Sequence, residues 1–401
     1  MRTDPHRLFR DADRVPAPDL WSEIERRRPH TPRTPRPGAK ILTIAVAFAV
    51  AAAGVGFAVA ALGRSPHPSP VPAASPEPRA VHPNVTTVGS VGAVPEAMAA
   101  ADGTIWVSGG QGLAKIDVSS NQVQVVSPRG PVDLAYAAGS VWADGRLDPS
   151  VSATVVQRLD PRSGQVLRTT PLDMSATLLA GDDQAVWVAG SSGDQSTPPQ
   201  LERIDPATGR VVATVALDGL DPSPPNVPFN WLVAGLKAGQ GAVWCAVWEI
   251  GNEHEYGGFL VRVDEATNTV SDVLPLGASG SLAVGDGAVW TNDYRSSPPP
   301  VRIDATTLQE RSFDAPNFEP FAVGEGGVWF LQRQNDEELV SRLDPSTLTV
   351  DATIPLPFDP KVGSVQAYAL DVSSDTVWLA FESGEVTRID LYPAWPNRGR
   401  R

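Results

Sequence analysis

The sequence predicts an all-β fold, a closed ring of seven small antiparallel sheets, and three observations predict it. First, a Val-Trp or Ile-Trp pair is followed seven times by a hydrophobic residue and Asp. Trp106 precedes Ile116-Asp117, Trp142 precedes Leu159-Asp160, and Trp187 precedes Ile204-Asp205. Trp244 precedes Val263-Asp264, Trp290 precedes Ile303-Asp304, Trp329 precedes Leu343-Asp344, and Trp378 precedes Ile389-Asp390. Second, the period is about 40–50 residues with room for four short strands, the signature of a β-propeller. Third, an orphan strand-like run, residues 84–92, precedes the first repeat, while the seventh repeat has no convincing fourth strand. The run at 84–92 is expected to complete the last blade and close the ring, leaving no gap in it.

One repeat serves for all. Strand A is GSLAVG at 280–285, strand B is AVWTN at 288–292, and strand C is PVRID at 300–304. Apolar and polar residues alternate in several of these runs, as period-two strands require. The turn between C and D has its own chemistry. In Asp205-Pro206-Ala207-Thr208-Gly209 the Asp side chain can accept from amides ahead of it, Pro pre-sets φ, and Gly supplies the positive φ that closes the hairpin. The repeated Asp residues therefore read as structural. The repeated tryptophans do too, as bulky side chains that fill the space between blades.

The N-terminal fifth of the chain is built differently. Residues 41–62, ILTIAVAFAVAAAGVGFAVAAL, carry no charge over 22 positions. At ~1.5 Å rise per residue a helix of this length spans a bilayer core. A cleaved signal peptide would have a shorter apolar run and a shorter leader, so an uncleaved transmembrane signal anchor is expected. Arg26, Arg27, Arg28, Arg33, Arg36 and Lys40 crowd one flank, and Arg64 stands nearly alone on the other. By the positive-inside rule the tail, 1–40, is cytoplasmic and the larger part extracytoplasmic. Seven of the twenty residues from 64 to 83 are proline, so 63–83 reads as a semi-rigid stalk. Within the tail, residues 18–28 (PDLWSEIERRR) can form one basic helix that touches anionic lipid or docks a cytoplasmic partner.

Charge and composition narrow the function. The chain has 32 Lys/Arg and 46 Asp/Glu, a net charge of −14. Residues 84–401 alone hold 20 basic and 39 acidic residues, a net of −19. Nucleic-acid binders carry basic patches, so that partner class is excluded. An acidic exterior favours cationic or neutral partners. One cysteine, Cys245, rules out an intrachain disulfide and reads as a small buried hydrophobe.

The loops point to a face. A–B and C–D turns are short (GDGA, GQGA, GEGG, DPATG), whereas B–C and D–A connections vary in length. Variation concentrated on one side marks that face for binding. The fourth repeat is the richest there, and Trp231, Trp248, Glu249, Glu253, Glu255 and Tyr256 are the candidate ligand-binding residues, with Tyr294 and Arg295 from the B–C loop of the fifth. Aromatics beside carboxylates at a rim suit a glycan, a peptide or a cationic group. Glu253-His254-Glu255 does not make a transition-metal site, because neighbours on a strand point apart and no second His or Cys is near. No metal, no cofactor and no catalytic residue are assigned: Gly-x-Ser-x-Gly, phosphate-loop and His-Glu-x-x-His patterns are all absent.

AVGDGAVW at 283–290 and RIDPATGRVVATV at 203–215 resemble the YVTN and virginiamycin-B-lyase-like group of seven-bladed propellers. The resemblance extends over 84–401 and implies the fold, not the function. For a lyase it implies histidines and a glutamate near a bound magnesium. Here the propeller region contains a single histidine, His254, so no lyase catalytic residue carries over. The expected function is recognition or sensing: a membrane-anchored, extracytoplasmic module that binds an envelope protein, peptide or glycan on its variable face. The alternative is a lyase or hydrolase whose carboxylates converge at the channel mouth on a glycan or peptide-like substrate.

Overall fold

A computed structural model describes residues 78–391 apart from 93, 110–111, 132, 145–153, 192–196, 218–219, 221–228, 252–254, 277–280, 293–298, 316–320, 335–336, 358–366 and 374. The expected tail (1–40), anchor (41–62) and stalk up to residue 77 lie outside the described residues. Among the described residues no helix is long and apolar enough to cross a membrane.

The chain forms seven antiparallel sheets in sequence order, six of four strands and one of five. It is a seven-bladed β-propeller. Blades 1 to 6 occupy residues 95–127, 134–171, 175–216, 229–276, 282–312 and 321–355, with strands A to D in chain order in each. Blade 7 takes its A, B and C strands from 367–390 and its D strand from Asn84–Ser90, which pairs antiparallel with Glu385–Asp390. The first and last strands of the ring thus share one sheet.

Residues 79 and 80, which the sequence places in the stalk, instead form a fifth strand on the outer edge of blade 6. They run parallel to its D strand, with Arg79 beside Ala352 and Ala80 beside Thr353. Val81 then turns inward. It is buried among Trp329, Val340, Ile354 and Leu391, in the seam between blades 6 and 7.

The seven tryptophans explain why the blades pack. Each is 0–1% exposed. On strand C, each has a basic residue directly across from it: Lys115, Arg158, Arg203, Arg262, Arg302, Arg342 and Arg388 in order. Five of the guanidinium groups, at 158, 203, 262, 302 and 388, lie 5.5–5.8 Å from the centre of the indole they cover. Such stacking is worth about 0.5–2 kcal/mol, depending on how far it is desolvated. Several of these side chains also donate to the C–D turn of the following blade. Arg158 reaches the Pro206 carbonyl, and Arg203 reaches the Glu265 carbonyl and Asn268 Oδ1. Arg388 reaches the Val118 carbonyl, carrying the same linkage from blade 7 to blade 1 across the closure.

The C–D turns work as their sequences require. Asp205 Oδ1 accepts from the Ala207 amide at 2.8 Å, Thr208 Oγ1 donates to Oδ2 at 2.9 Å, and Gly209 sits at φ 61°. The amide of Ala207 and the hydroxyl of Thr208 hold the Asp205 carboxyl below its ordinary range. Asp117, held by Ser119 and Ser120, is lowered to about 2. Cys245 is fully buried, and desolvation alone pushes its thiol up to about 12.

Candidate functional site

Blade heights differ, and the difference shapes the variable face. Strand B begins two residues before its tryptophan in blades 4, 5 and 6 alike. It then runs for 10 residues in blade 4 (Ala242–Gly251), 4 in blade 5 (Ala288–Thr291) and 8 in blade 6 (Gly327–Gln334). Strand C follows suit, with 10 residues in Glu255–Asp264, 4 in Val301–Asp304 and 8 in Glu337–Asp344. All the extra length is on the variable side. At ~3.3 Å per residue, the B and C strands of blade 4 stand roughly 20 Å above those of blade 5, and those of blade 6 roughly 13 Å. The residues that join strands B and C of blade 5, 293–298, lie outside the described residues.

Cross-strand pairing decides on which side of its blade each residue lies. Trp248 lies opposite Leu232 and Gly258, on the same side of blade 4 as Trp244. Trp244 packs against Leu282, Val289 and Ile303 of blade 5, so Trp248 and Leu232 lie on the blade 5 side of blade 4. In blade 6 the side toward blade 5 is that of Phe330, which packs with Trp290 and Phe313 of blade 5. The pairs Gln332–Leu339 and Gln334–Glu337 continue that side upward.

Trp231 and Glu249 pair with each other on the opposite side of blade 4. Trp231 belongs to the core shared with blade 3, beside Leu217 and Leu220, and its ring lies 6.1 Å from Phe259. Exposure is 7% for Trp231, 7% for Trp248 and 1% for Glu249. The three therefore do not converge on one surface: Trp231 and Glu249 face blade 3, and Trp248 faces blade 5. Glu255 and Tyr256 lie in strand C of blade 4. Glu253, Tyr294 and Arg295 lie outside the described residues. Among the described residues no group of three His, Cys, Asp or Glu side chains is placed to hold a metal ion.

A second polar feature, not anticipated from the sequence, lines the inner ring. On strand A the residue paired with the tryptophan is alanine in five blades: Ala99, Ala135, Ala180, Ala283 and Ala322. It is Lys237 in blade 4 and Asp371 in blade 7. Asp371 accepts from the Ala100 amide of blade 1 at 3.0 Å. Asp133, just before strand A of blade 2, accepts from its neighbour Leu134 at 2.8 Å and from the Leu179 amide of blade 3 at 2.7 Å. Innermost strands have one unpaired edge, and these carboxylates satisfy amides along it. Each ties its blade to the next.

Burial pushes the Asp133 carboxyl from 3.8 up to about 6, against the lowering pull of the Leu179 amide and of Lys237. Burial raises Asp371 as well. Between these two pH values folded Asp133 holds a proton that the unfolded chain has released. Its contribution is therefore fully present below about 4 and is lost as pH rises through about 6. The expected result is that Asp133→Asn flattens this part of the stability profile, measured as the denaturation midpoint between pH 4 and 7. An unchanged slope would show that Asp133 does not titrate in that window.

No family model matches the chain, and no curated protein matches it. Among solved structures, a chain of the mitotic checkpoint complex superposes with a TM-score of 0.55 at 12% identity, covering 84% of this chain and 99% of that one. The Neurospora crassa Pan2 WD40 domain gives a TM-score of 0.54 at 12% identity, with 76% and 94% covered. Virginiamycin B lyase from Staphylococcus aureus, in a catalytically inactive form with quinupristin, gives 0.49 at 15% identity, with 77% and 99% covered. At such identities the likeness is one of fold alone.

Proposed function

We propose that this propeller is a recognition module, and that it binds a protein, peptide or glycan on the variable face, where the strands of blades 4 and 6 rise beyond those of blade 5. The observation that carries this reading is the disparity in strand length, which leaves Leu232 exposed on blade 4 and Gln334 and Glu337 exposed on blade 6. An apolar side chain, an amide and one carboxylate suit a neutral or cationic ligand better than an anionic one, and the charge of −19 over 84–401 acts in the same direction. Residues 41–62 anchor the module in the membrane and hold it outside the cytoplasm, and 18–28 are available to a cytoplasmic partner.

Hydrolysis or elimination at the channel is the weaker reading. Asp133 and Asp371 stand at the innermost strands, and both are buried and occupied by backbone amides of the neighbouring blade.

Photocrosslinking in native membranes tests the proposal. A photoreactive residue is placed in the full chain at position 232 or 337 on the variable face, or at 120 or 183 on the short-turn face. Adducts are expected from 232 and 337 and not from the other two. Adducts confined to 120 and 183 would assign binding to the opposite face.

A further inference from the structure

Six large apolar side chains stand exposed among the described residues, and four of them lie on the outer strands of three consecutive blades. They are Val125 (62%), Val166 (48%), Leu167 (55%) and Val212 (57%). Those strands are Val123–Ser127, Val166–Pro171 and Arg210–Ala216. None holds an Asp or Glu, although 84–401 contains 39 of them. The outer strands of blades 4, 5 and 6 each carry one, at Asp272, Glu310 and Asp351.

The outer strand of a sheet presents unpaired amides and carbonyls, and proteins normally protect it by shortness, charge, proline or a cover. Blade 5 has a three-residue outer strand. Blade 4 has Asp272 and Pro275, and blade 2 has Arg168 and Pro171. Blade 6 is covered by Arg79–Ala80, which also demonstrates that an outer edge in this ring accepts another strand. The outer strand of blade 7, Asn84–Ser90, is also acid-free but exposes no large apolar side chain. Blade 3 has no proline, shortness or cover, and its strand is irregular only at a bulge at Val212. Its strand RVVATVA is seven residues long, carries one charge at its first position, and ends its sheet.

We propose that Arg210–Ala216 is a self-association edge. A second copy of the chain adds its own Arg210–Ala216 antiparallel across a twofold axis, joining two blades into one eight-stranded sheet. The partner is a second copy because the pairing is self-complementary and because two chains of charge −14 can approach closely only where acids are missing. An antiparallel register centred on Ala213 sets Val212 of one copy across from Thr214 of the other. It also separates the two Arg210 side chains by roughly 20 Å, beyond the Debye length at physiological salt.

The test is sedimentation velocity on the full chain in mild detergent, for the parent, Val212→Lys and Ser271→Lys. Ser271 is the exposed outer-strand residue of blade 4 at the corresponding position, seven after the turn aspartate. The parent is expected to dimerise. Val212→Lys should weaken the dimer at least tenfold, and Ser271→Lys should leave it unchanged. Raising salt from ~50 to ~500 mM should strengthen association, because it screens the repulsion between acidic chains. If Val212→Lys lowers the melting temperature, Thr214→Lys on the same exposed row replaces it. A parent that stays monomeric at every salt concentration overturns the proposal, and so does a dimer indifferent to the blade 3 variants. Neither result bears on the proposed binding at the variable face, which is a different surface.

Discussion

Trp142→Ala is expected to destabilise the propeller by about 3–5 kcal/mol, the range for truncating a buried aromatic. The indole is fully buried between blades 2 and 3, among Ala135, Val156, Leu179, Val186 and Ile204. Its Nε1 donates to the Ala137 carbonyl at 3.2 Å. Its face carries the Arg158 guanidinium, which in turn holds Ser140 Oγ and the Pro206 carbonyl, both at 2.8 Å. Truncation empties a volume that two rigid sheets cannot close, and it strands a cation that had been spread over a ring. Trp142→Phe should recover more than half of the loss, since it refills most of the space. Chemical denaturation of the three proteins measures this. A loss below about 1 kcal/mol for Trp142→Ala would mean the seam relaxes, contrary to the packing of sheets in a closed ring.

The second large effect concerns the ring closure. A chain lacking residues 1–92 is compared with one lacking only 1–77. The shorter chain loses Val81 and Val85 from the seam of blades 6 and 7, and it loses the whole D strand of blade 7. Strand C, Glu385–Asp390, becomes an open edge beside a core that includes Trp329 and Leu379. The expected outcome is a lower melting temperature and edge-to-edge association, both reversed by adding a peptide of residues 78–92. The chain lacking only 1–77 should melt cooperatively as one ring. Equal melting of the two chains would show that the closing strand is dispensable.

The propeller was legible because its repeat uses residues with unambiguous physical roles. A tryptophan preceded by a β-branched residue, then Asp-Pro-x-Thr-Gly or a relative of it, fixes a strand and a turn from local chemistry alone. The basic residue two positions before each turn aspartate stands in the sequence all seven times. Its stacking role was hidden, because that depends on pairing between strands B and C across loops of unequal length. Trp248 and Glu249 are adjacent in a strand, so their opposite facing follows from alternation. The placement of Trp231 does not, because the bulge between Val233 and Gly235 shifts register by one. Asp133, Lys237 and Asp371 acquire a shared meaning only when strand A is aligned around the whole ring. The pairing of Arg79 with Ala352 was unreadable for a related reason: proline-rich composition announces an extended chain and says nothing of a distant neighbour.

The shared sheet of blade 7 also sets a clock on synthesis. Asn84 bonds Asp390, a partner 306 positions later in the chain. At translation rates of about 5–20 residues per second, that interval is on the order of 15–60 s. Throughout it the first propeller strand to leave the ribosome has no partner in its own blade, while blades 1 to 6 can assemble behind it in order. The last event in making this molecule is therefore the capture of its earliest strand, so a nascent chain halted before residue 385 would display an unclosed ring with two free ends.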